Sequence, residues 1–306
     1  MLYEMAVDYL DNIPEFRTWP EFLSLFRRTA ELKPRHWQLP FKICQAVGGN
    51  MEQALPAVVA FACAQISILL IDDMLDQDPR GEYLRIGPAL AANFSATFQA
   101  AGLEAVFTGL LPASNRFFGS RSLNSMYLKV ASGQYLDVQN LTAESKYWQV
   151  VESKSGAFFG TAFYLGALSG GASDSLAARL ERIGHLYGQM IQIHDDLNDS
   201  MSIPASPDWL QDRSPLPILY ARLVQYPERG RFLKLCEQIP DPNALLEAQE
   251  ILIRSGAVSY CIHQVFLRHR LARKILRAIL LVNRGEIDAL LDAMTEPVAG
   301  LLKKTE

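Results

Sequence analysis

Apolar residues recur at three- and four-residue spacing through most of the chain, the period of helices with one buried face. No alternating apolar run brackets a hairpin dipeptide, so no strand is predicted. The spacing predicts helices over about 20–31, from Met51 to just before Pro79-Arg80-Gly81, and from Pro88 through Leu111. After a break at Pro112 the period resumes through Asn140, over 144–169 up to Gly170-Gly171, and over 174–199. Residues 202–217 carry four prolines and read as a loop. Helices follow at about 217–226, 242–254 and 257–282, with a short one from 285. No linker or change of composition divides the chain. The expectation is an all-α protein in which residues 1–306 form one large helical domain.

One stretch breaks the amphipathic pattern. Residues 54–71 are almost wholly apolar and run directly into Asp72, Asp73 and Asp76. Their length is only marginal for a bilayer. Gln65, Ser67 and the three aspartates favour a buried helix of a soluble protein over a transmembrane span. The same Asp-Asp-x-x-Asp spacing returns 123 residues later as Asp195, Asp196 and Asp199. On a helix, positions i and i+4 share a face and i+1 lies beside them, so each motif projects three carboxylates from one turn. Such a cluster is unfavourable without a cation, the more so at a helix C-terminus, whose dipole repels carboxylates. Two facing clusters would make an oxygen-rich cage for Mg²⁺, which takes carboxylate and phosphate oxygens. A calcium loop starting at Asp76 is excluded, because Arg80 falls at a ligand position and Gly87 at the twelfth, where Glu is required.

Composition narrows the classes. A net charge of −4 and a pI near 5.8 exclude a nucleic-acid-binding surface as the main function. Cys44, Cys63, Cys236 and Cys261 are far apart and form no CxxC pair, which fits a reducing, cytoplasmic setting. The first residues lack the basic region of a secretory leader. His194 adjoins Asp195 but points about 100° away on a helix, so it reads as a neighbour and not a general base. Residues 268–277 hold five cations and read as a solvated basic face, with a membrane-surface or partner patch as the alternative.

The paired motifs, together with Gly133-Gln134-x-x-Asp137, Lys154-Ser155-Gly156 and Gly188-x-x-x-Gln192-x-x-Asp195-Asp196, resemble the trans-prenyl diphosphate synthase family over roughly Lys33 to Pro217. That resemblance implies an isoprenoid-synthase helical bundle with a central apolar cavity, working as a homodimer. It implies Mg²⁺, in three ions, held by Asp72, Asp73, Asp76, Asp195, Asp196 and Asp199 together with an allylic prenyl diphosphate. Ionisation of that substrate and attack by isopentenyl diphosphate would give a longer chain. Lys154, Arg213, Arg80 and Gln192 would contact the diphosphate, with Gln134 and Asp137 nearby.

The chain departs from the family where isopentenyl diphosphate should bind. The usual Gly-Gly-Lys-Arg-x-Arg-Pro is reduced to Leu32-Lys33-Pro34-Arg35-His36, leaving Lys33 and Arg35 as stand-ins. Gln65 occupies the histidine position seven before Asp72, Gly81 replaces a second arginine, and Ile191 replaces the Phe before Gln192. Two other readings therefore stay open: a terpene cyclase or a prenyltransferase to another acceptor, and a non-catalytic subunit of a heteromeric synthase. The two intact aspartate motifs disfavour the second. Running back from Asp72, one helix face carries Ile68, Ser67, Ala64, Cys63 and Ala60, where the family places a bulky aromatic. Small residues there predict an open tail channel and a product of C20 or longer, with Phe94 and Phe98 as its candidate floor.

Overall fold

A computed structural model describes residues 1–110, 112–139 and 141–296; the expected helix ends at Leu111 and Asn140 lie outside the described residues. The described residues contain helices and no strand, as the apolar period requires. In chain order these are α1 (Leu2–Asp11), α2 (Pro20–Glu31), α3 (Leu39–Ala46), α4 (Met51–Asp76), α5 (Tyr83–Ile86), α6 (Pro88–Gly109), α7 (Ala113–Asp137) and α8 (Glu144–Val151). They continue with α9 (Ala157–Ser169), α10 (Asp174–Met201), α11 (Pro207–Leu210), α12 (Leu216–Leu223), α13 (Arg229–Cys236), α14 (Pro242–Arg254), α15 (Ala257–Arg277) and α16 (Gly285–Asp292).

The central helix, α4, is set at both ends by local chemistry. Asn50 accepts from the Gln53 amide at 3.0 Å while the Gln53 side chain accepts from the Asn50 amide at 2.9 Å, a reciprocal cap. At the other end Gln77 takes a left-handed conformation, φ 53°, and stops the helix one residue after Asp76. Between these ends α4 is apolar all round because its neighbours cover it on several sides, α6 above all and then α3, α9 and α1. Among the described residues it is the one helix long and apolar enough to cross a membrane, and it is spent as core. The second long helix, α10, starts at the Ser173 cap and packs on α9 and α15.

Five helices fall where none is predicted: α1, α3, α5, α13 and, inside the stretch read as a loop, α11. Each is short, and α1 buries only Leu2, Ala6 and Leu10. The stretch 144–169 is not one helix, because a wide π turn over Glu152–Gly156 separates α8 from α9. The helix predicted to reach 282 ends at Arg277.

The small residues of α4 have a packing role. Gly102 of α6 sits so close that a Cβ on it would lie 3.2 Å from the Ala60 carbonyl and 3.5 Å from Cys63. Farther along, Ser67 and Ser95 hydroxyls meet at 3.0 Å, and Ser95 also donates to the Ser67 carbonyl. Ala60, Cys63 and Ser67 thus form the seam along which two long helices approach closely.

Candidate active site

The last turn of α4 and the last turns of α10 open into one cavity of about 560 Å³. Asp72, Asp73 and Asp76 line it from one side; Asp195, Asp196 and Asp199 line it from the other. Asp137, Lys154, Gln192 and Arg213 complete the polar wall. Ile68, Leu69, Val130, Phe158 and Phe159 form an apolar wall.

The π turn places Lys154. Its backbone is pressed between two helices that can approach only because they carry glycine. A Cβ on Gly133 of α7 would lie 2.9 Å from the Lys154 side chain, and one on Gly188 of α10 would lie 2.2 Å from the Ser155 carbonyl. Held there, the Lys154 ammonium donates to Asp137 at 2.6 Å and reaches Asp72 at 3.4 Å. Burial works against its charge, yet Asp137 and Asp72 hold its pKa above the ordinary lysine value. Arg213 pairs with Asp76 in the same way. Ser155 donates to Gln192 at 2.7 Å, and Gln192 in turn donates to Asp196 at 2.9 Å.

The six aspartates are not equivalent. Asp196 is buried and already accepts from the Tyr147 hydroxyl at 2.6 Å, from Gln192 and from the Leu216 amide at 2.9 Å. Burial pushes it up to about 6 in spite of those donors. Its oxygens hold α10 to α8 and α12 at the cavity wall. Asp195 has no such partners; burial and the neighbouring Asp196 and Asp199 push it up to about 7. Asp73 is pushed up to about 6 by burial and by Asp78, Asp72 and Asp76. Burial also raises Asp72, against the pull of Lys154, and Asp199.

This donor set suits a hard divalent cation. Asp72, Asp73, Asp76, Asp195 and Asp199 offer only oxygens, and the raised pKa values of Asp72, Asp73 and Asp195 record buried carboxylates crowded by their neighbours without enough positive charge. No three acids among the described residues close on a single point, so the protein does not make a complete cage by itself. Oxygens from a phosphate ligand would have to complete the coordination, which is the usual way Mg²⁺ is held.

Other expected residues fall less centrally. Arg80 lines the rim, but its side chain is 82% exposed and pairs with Asp78 at 2.9 Å. Lys33 and Arg35 are exposed and do not line the cavity. Their segment reaches its wall only through neutral groups: Trp37 donates to Gln65 at 2.7 Å, and His36 sits edge-on to Phe159 at 4.9 Å. Burial and Arg35 lower the His36 pKa. Gln134 is buried with its Nε2 unpartnered among the described residues. His194 points away as expected and donates to the Met294 carbonyl at 2.8 Å.

Of the residues expected to shape a tail channel, one lines the cavity. Ile68 lines the cavity, but Ser67, Ala64, Phe94 and Phe98 do not. Ser67 and Ala64 face neighbouring helices, and Phe94 and Phe98 pack on Phe22 at 5.7 and 4.2 Å. Phe158, stacked on Phe61 at 4.4 Å, and Phe159 are the phenylalanines that do line the cavity. The basic face is corrected in part. Arg268 is only 9% exposed, with its guanidinium 3.7 Å over the Trp148 ring, and Arg273 pairs with Asp288 and Asp292.

Several lining residues were not singled out from the sequence, among them Tyr147, Phe158, Phe159 and Asp208. Burial, with Asp196 and Asp199 nearby, pushes Asp208 up to about 7. Its only sequence signal is its place five residues before Arg213, inside a loop.

A protein-family model described as polyprenyl synthetase matches residues 30–250. A geranylgeranyl diphosphate synthase of Methanosarcina mazei is 32% identical over 165 residues; the match covers 51% of both proteins, so this chain spans about half the length of that relative. A short chain isoprenyl diphosphate synthase of Methanothermobacter thermautotrophicus is 27% identical over 254 residues, 77% of each. The crystal structure of geranylgeranyl pyrophosphate synthetase from Pyrococcus horikoshii superposes with a TM-score of 0.82 at 19% identity, covering 96% of this chain and 95% of the other. At that identity it speaks for the fold alone.

Proposed function

The chain belongs to the polyprenyl synthetase family, and from that premise we propose that it is a Mg²⁺-dependent prenyltransferase that lengthens an allylic prenyl diphosphate by condensing it with isopentenyl diphosphate. The observation that carries this reading is the single cavity in which both Asp-Asp-x-x-Asp turns, Lys154 and Arg213 face an apolar wall. Asp72, Asp73, Asp76, Asp195 and Asp199 are the residues that would hold the metal, three ions by resemblance. The chemistry Mg²⁺ supplies when bound is neutralisation of negative charge on the diphosphate oxygens.

The protein's own residues do the rest. Lys154 and Arg213 are held at the cavity by internal carboxylates and can turn their donors to the diphosphate as charge-assisted hydrogen bonds. Arg80 adds a cation at the rim. Asp196, tied to Tyr147 and the Leu216 amide, fixes Gln192 in place. Phe158, Phe159, Ile68 and Val130 hold the tail and keep water from the allylic carbocation left when the C–O bond ionises. The whole would work as a cytoplasmic homodimer, and exposed Phe107, Phe117, Leu128 and Tyr135 on α6 and α7 support an apolar interface there. A product of C20 or longer draws support from relatives named for geranylgeranyl and nonaprenyl products, no longer from α4.

One observation favours a second reading, transfer to another acceptor: the end of the cavity near Gln65 presents neutral groups, while Lys33 and Arg35 stay outside. The test is incubation with each allylic diphosphate and Mg²⁺, with and without isopentenyl diphosphate, followed by product mass. Longer diphosphates made only when both are present uphold elongation. Pyrophosphate release at the same rate without isopentenyl diphosphate, yielding cyclic products, overturns it.

A further inference from the structure

The end of α15 carries a feature that the cavity does not explain. Residues 278–283 leave the helix as a short loop whose side chains alternate. Ile279 is buried, Leu281 packs on the core, and between and beyond them Leu280 is 97% and Val282 79% exposed. The loop is not loose. The Asn283 amide donates to the Ala46 carbonyl at 3.0 Å, Arg179 of α10 donates to the Ala278 carbonyl, and Val282 rests beside Gly48. Two aliphatic tips are thus held out in water by a fixed backbone.

Around them lies a patch of cations. Arg270, Lys274 and Arg277 are exposed at spacings of four and three on α15, and Arg179 and Arg182 are exposed on the adjacent part of α10. None of the five forms an ion pair among the described residues. The acids nearby are taken by other cations: Asp288 by Arg273 and Arg284, Asp292 by Arg273, Glu286 by Lys42. This concentration sits on a chain whose net charge is −4.

We propose that this end of the molecule docks on an anionic lipid bilayer. Leu280 and Val282 would enter the interface while Arg270, Lys274, Arg277, Arg179 and Arg182 meet the head groups. Long cationic side chains keep their heads in the polar layer while their stems follow apolar surface, and unpaired cations beside exposed aliphatics are what an anionic leaflet attracts. A protein partner fits less well, because two aliphatic tips ringed by cations bring no aromatic anchor. The docked end is remote from the aspartates. Arg179 and Asp199 lie twenty residues apart on the same helix, about 30 Å at 1.5 Å per residue. The cavity mouth would therefore stay open to water, and the proposal does not depend on what the cavity does.

The experiment is co-sedimentation of the full chain with vesicles of phosphatidylcholine alone and of phosphatidylcholine mixed with phosphatidylglycerol, at low and high salt. Binding should appear on the mixed vesicles and weaken with salt. Lys274→Glu/Arg277→Glu should lower the partition on the order of thirty-fold. Leu280→Ser/Val282→Ser should lower it by at least about tenfold. All four side chains are exposed, so the thermal midpoint should stay unchanged and show that both variants fold. Absence of wild-type binding to the mixed vesicles overturns the proposal, as does binding that survives in both variants. A change of assembly mass by light scattering in the Leu280→Ser/Val282→Ser variant also overturns it, since the loop would then be a protein interface.

Discussion

Glu152→Ala asks whether the π turn is what aims Lys154. Glu152 opens that turn and points away from the cavity. One of its oxygens meets His185 Nδ1 at 2.6 Å, and the other accepts from Gln189 at 2.6 Å. Both partners lie on α10, the helix that ends in Asp195, Asp196 and Asp199. The Glu152 carboxylate therefore ties the segment carrying Lys154 to the helix carrying the second aspartate motif. Two hydrogen bonds to a charged group would be worth several kcal/mol if buried. The side chain is 49% exposed, so about 1 kcal/mol is the reasonable loss after solvent screening. The sign with pH follows from the lowered Glu152 pKa, caused first by the His185 hydrogen bond and opposed by burial. A lowered folded-state pKa contributes stability above the unfolded value, 4.5, and loses it as pH falls through the folded one. The gap in thermal midpoint between wild type and Glu152→Ala should be full at neutral pH and close in acid.

The effect on turnover separates aiming from mere stability. Displacing a group that positions substrate by ~1 Å costs on the order of 10²-fold. Gly133 and Gly188 still clamp the turn in the variant, so the displacement should be partial and the loss of kcat/KM about tenfold. Glu152→Gln should recover most of it, because the Gln oxygen still accepts from Gln189. The assay is steady-state release of pyrophosphate from an allylic diphosphate, at a temperature where circular dichroism shows the variant folded. A fully folded Glu152→Ala protein with wild-type kcat/KM would refute the idea that this carboxylate aims Lys154.

Three further outcomes follow from the same geometry. Asp72→Ala should lower turnover by on the order of 10²-fold or more, the loss expected for a main electrostatic stabiliser, and wild-type turnover in excess chelator would remove the metal from the reading. Ser67→Phe should not shorten the product; it should overpack the α4–α6 seam and destabilise by about 1–3 kcal/mol in a denaturant titration, whereas Phe158→Ala should lengthen the product seen by mass spectrometry. In metal-free protein, Asp195 near 7 and Asp73 near 6 are raised above 3.8, so the stability they contribute is present below about pH 4 and lost as pH rises through 6 to 7. The midpoint measured in chelator should fall across that window, and Mg²⁺ with pyrophosphate should restore it; a flat profile would count against crowded carboxylates.

What could be read in advance was whatever one helix states alone. Asp72 and Asp76, or Asp195 and Asp199, share a face by spacing, and the fold did bring the two turns to one cavity. Which face of a helix looks inward is a different question when the helix is apolar all round. For α4 the period carries no direction, so small residues at Ala60, Cys63 and Ser67 could have lined a channel or a seam. Gly102 and Ser95, distant in sequence, decide for the seam. Asp208 was hidden for the related reason that it lies in α11, a single turn within the proline-rich stretch and too short for any period to give its direction. Arg268 looked like one more solvated cation because its partners, Trp148 and Gln189, come from other helices.

The same contrast explains how a site with this much negative charge can exist in a folded chain. Of the six aspartates in the two motifs, three are answered from inside: Asp72 by Lys154, Asp76 by Arg213, Asp196 by Tyr147, Gln192 and an amide. Asp73 and Asp195 are left without comparable partners, and they carry upward shifts to about 6 and about 7. The internal cations keep the cluster compatible with folding, while Asp73, Asp195 and Asp199, unanswered in this way, keep it short of positive charge. A diphosphate arriving alone would add to the repulsion. Arriving with divalent cations, it would find Asp73 and Asp195 able to ligate those cations and Lys154 and Arg213 able to turn from their carboxylates toward its oxygens. Metal and diphosphate should therefore bind together far more tightly than either alone, since each relieves the charge the other would impose.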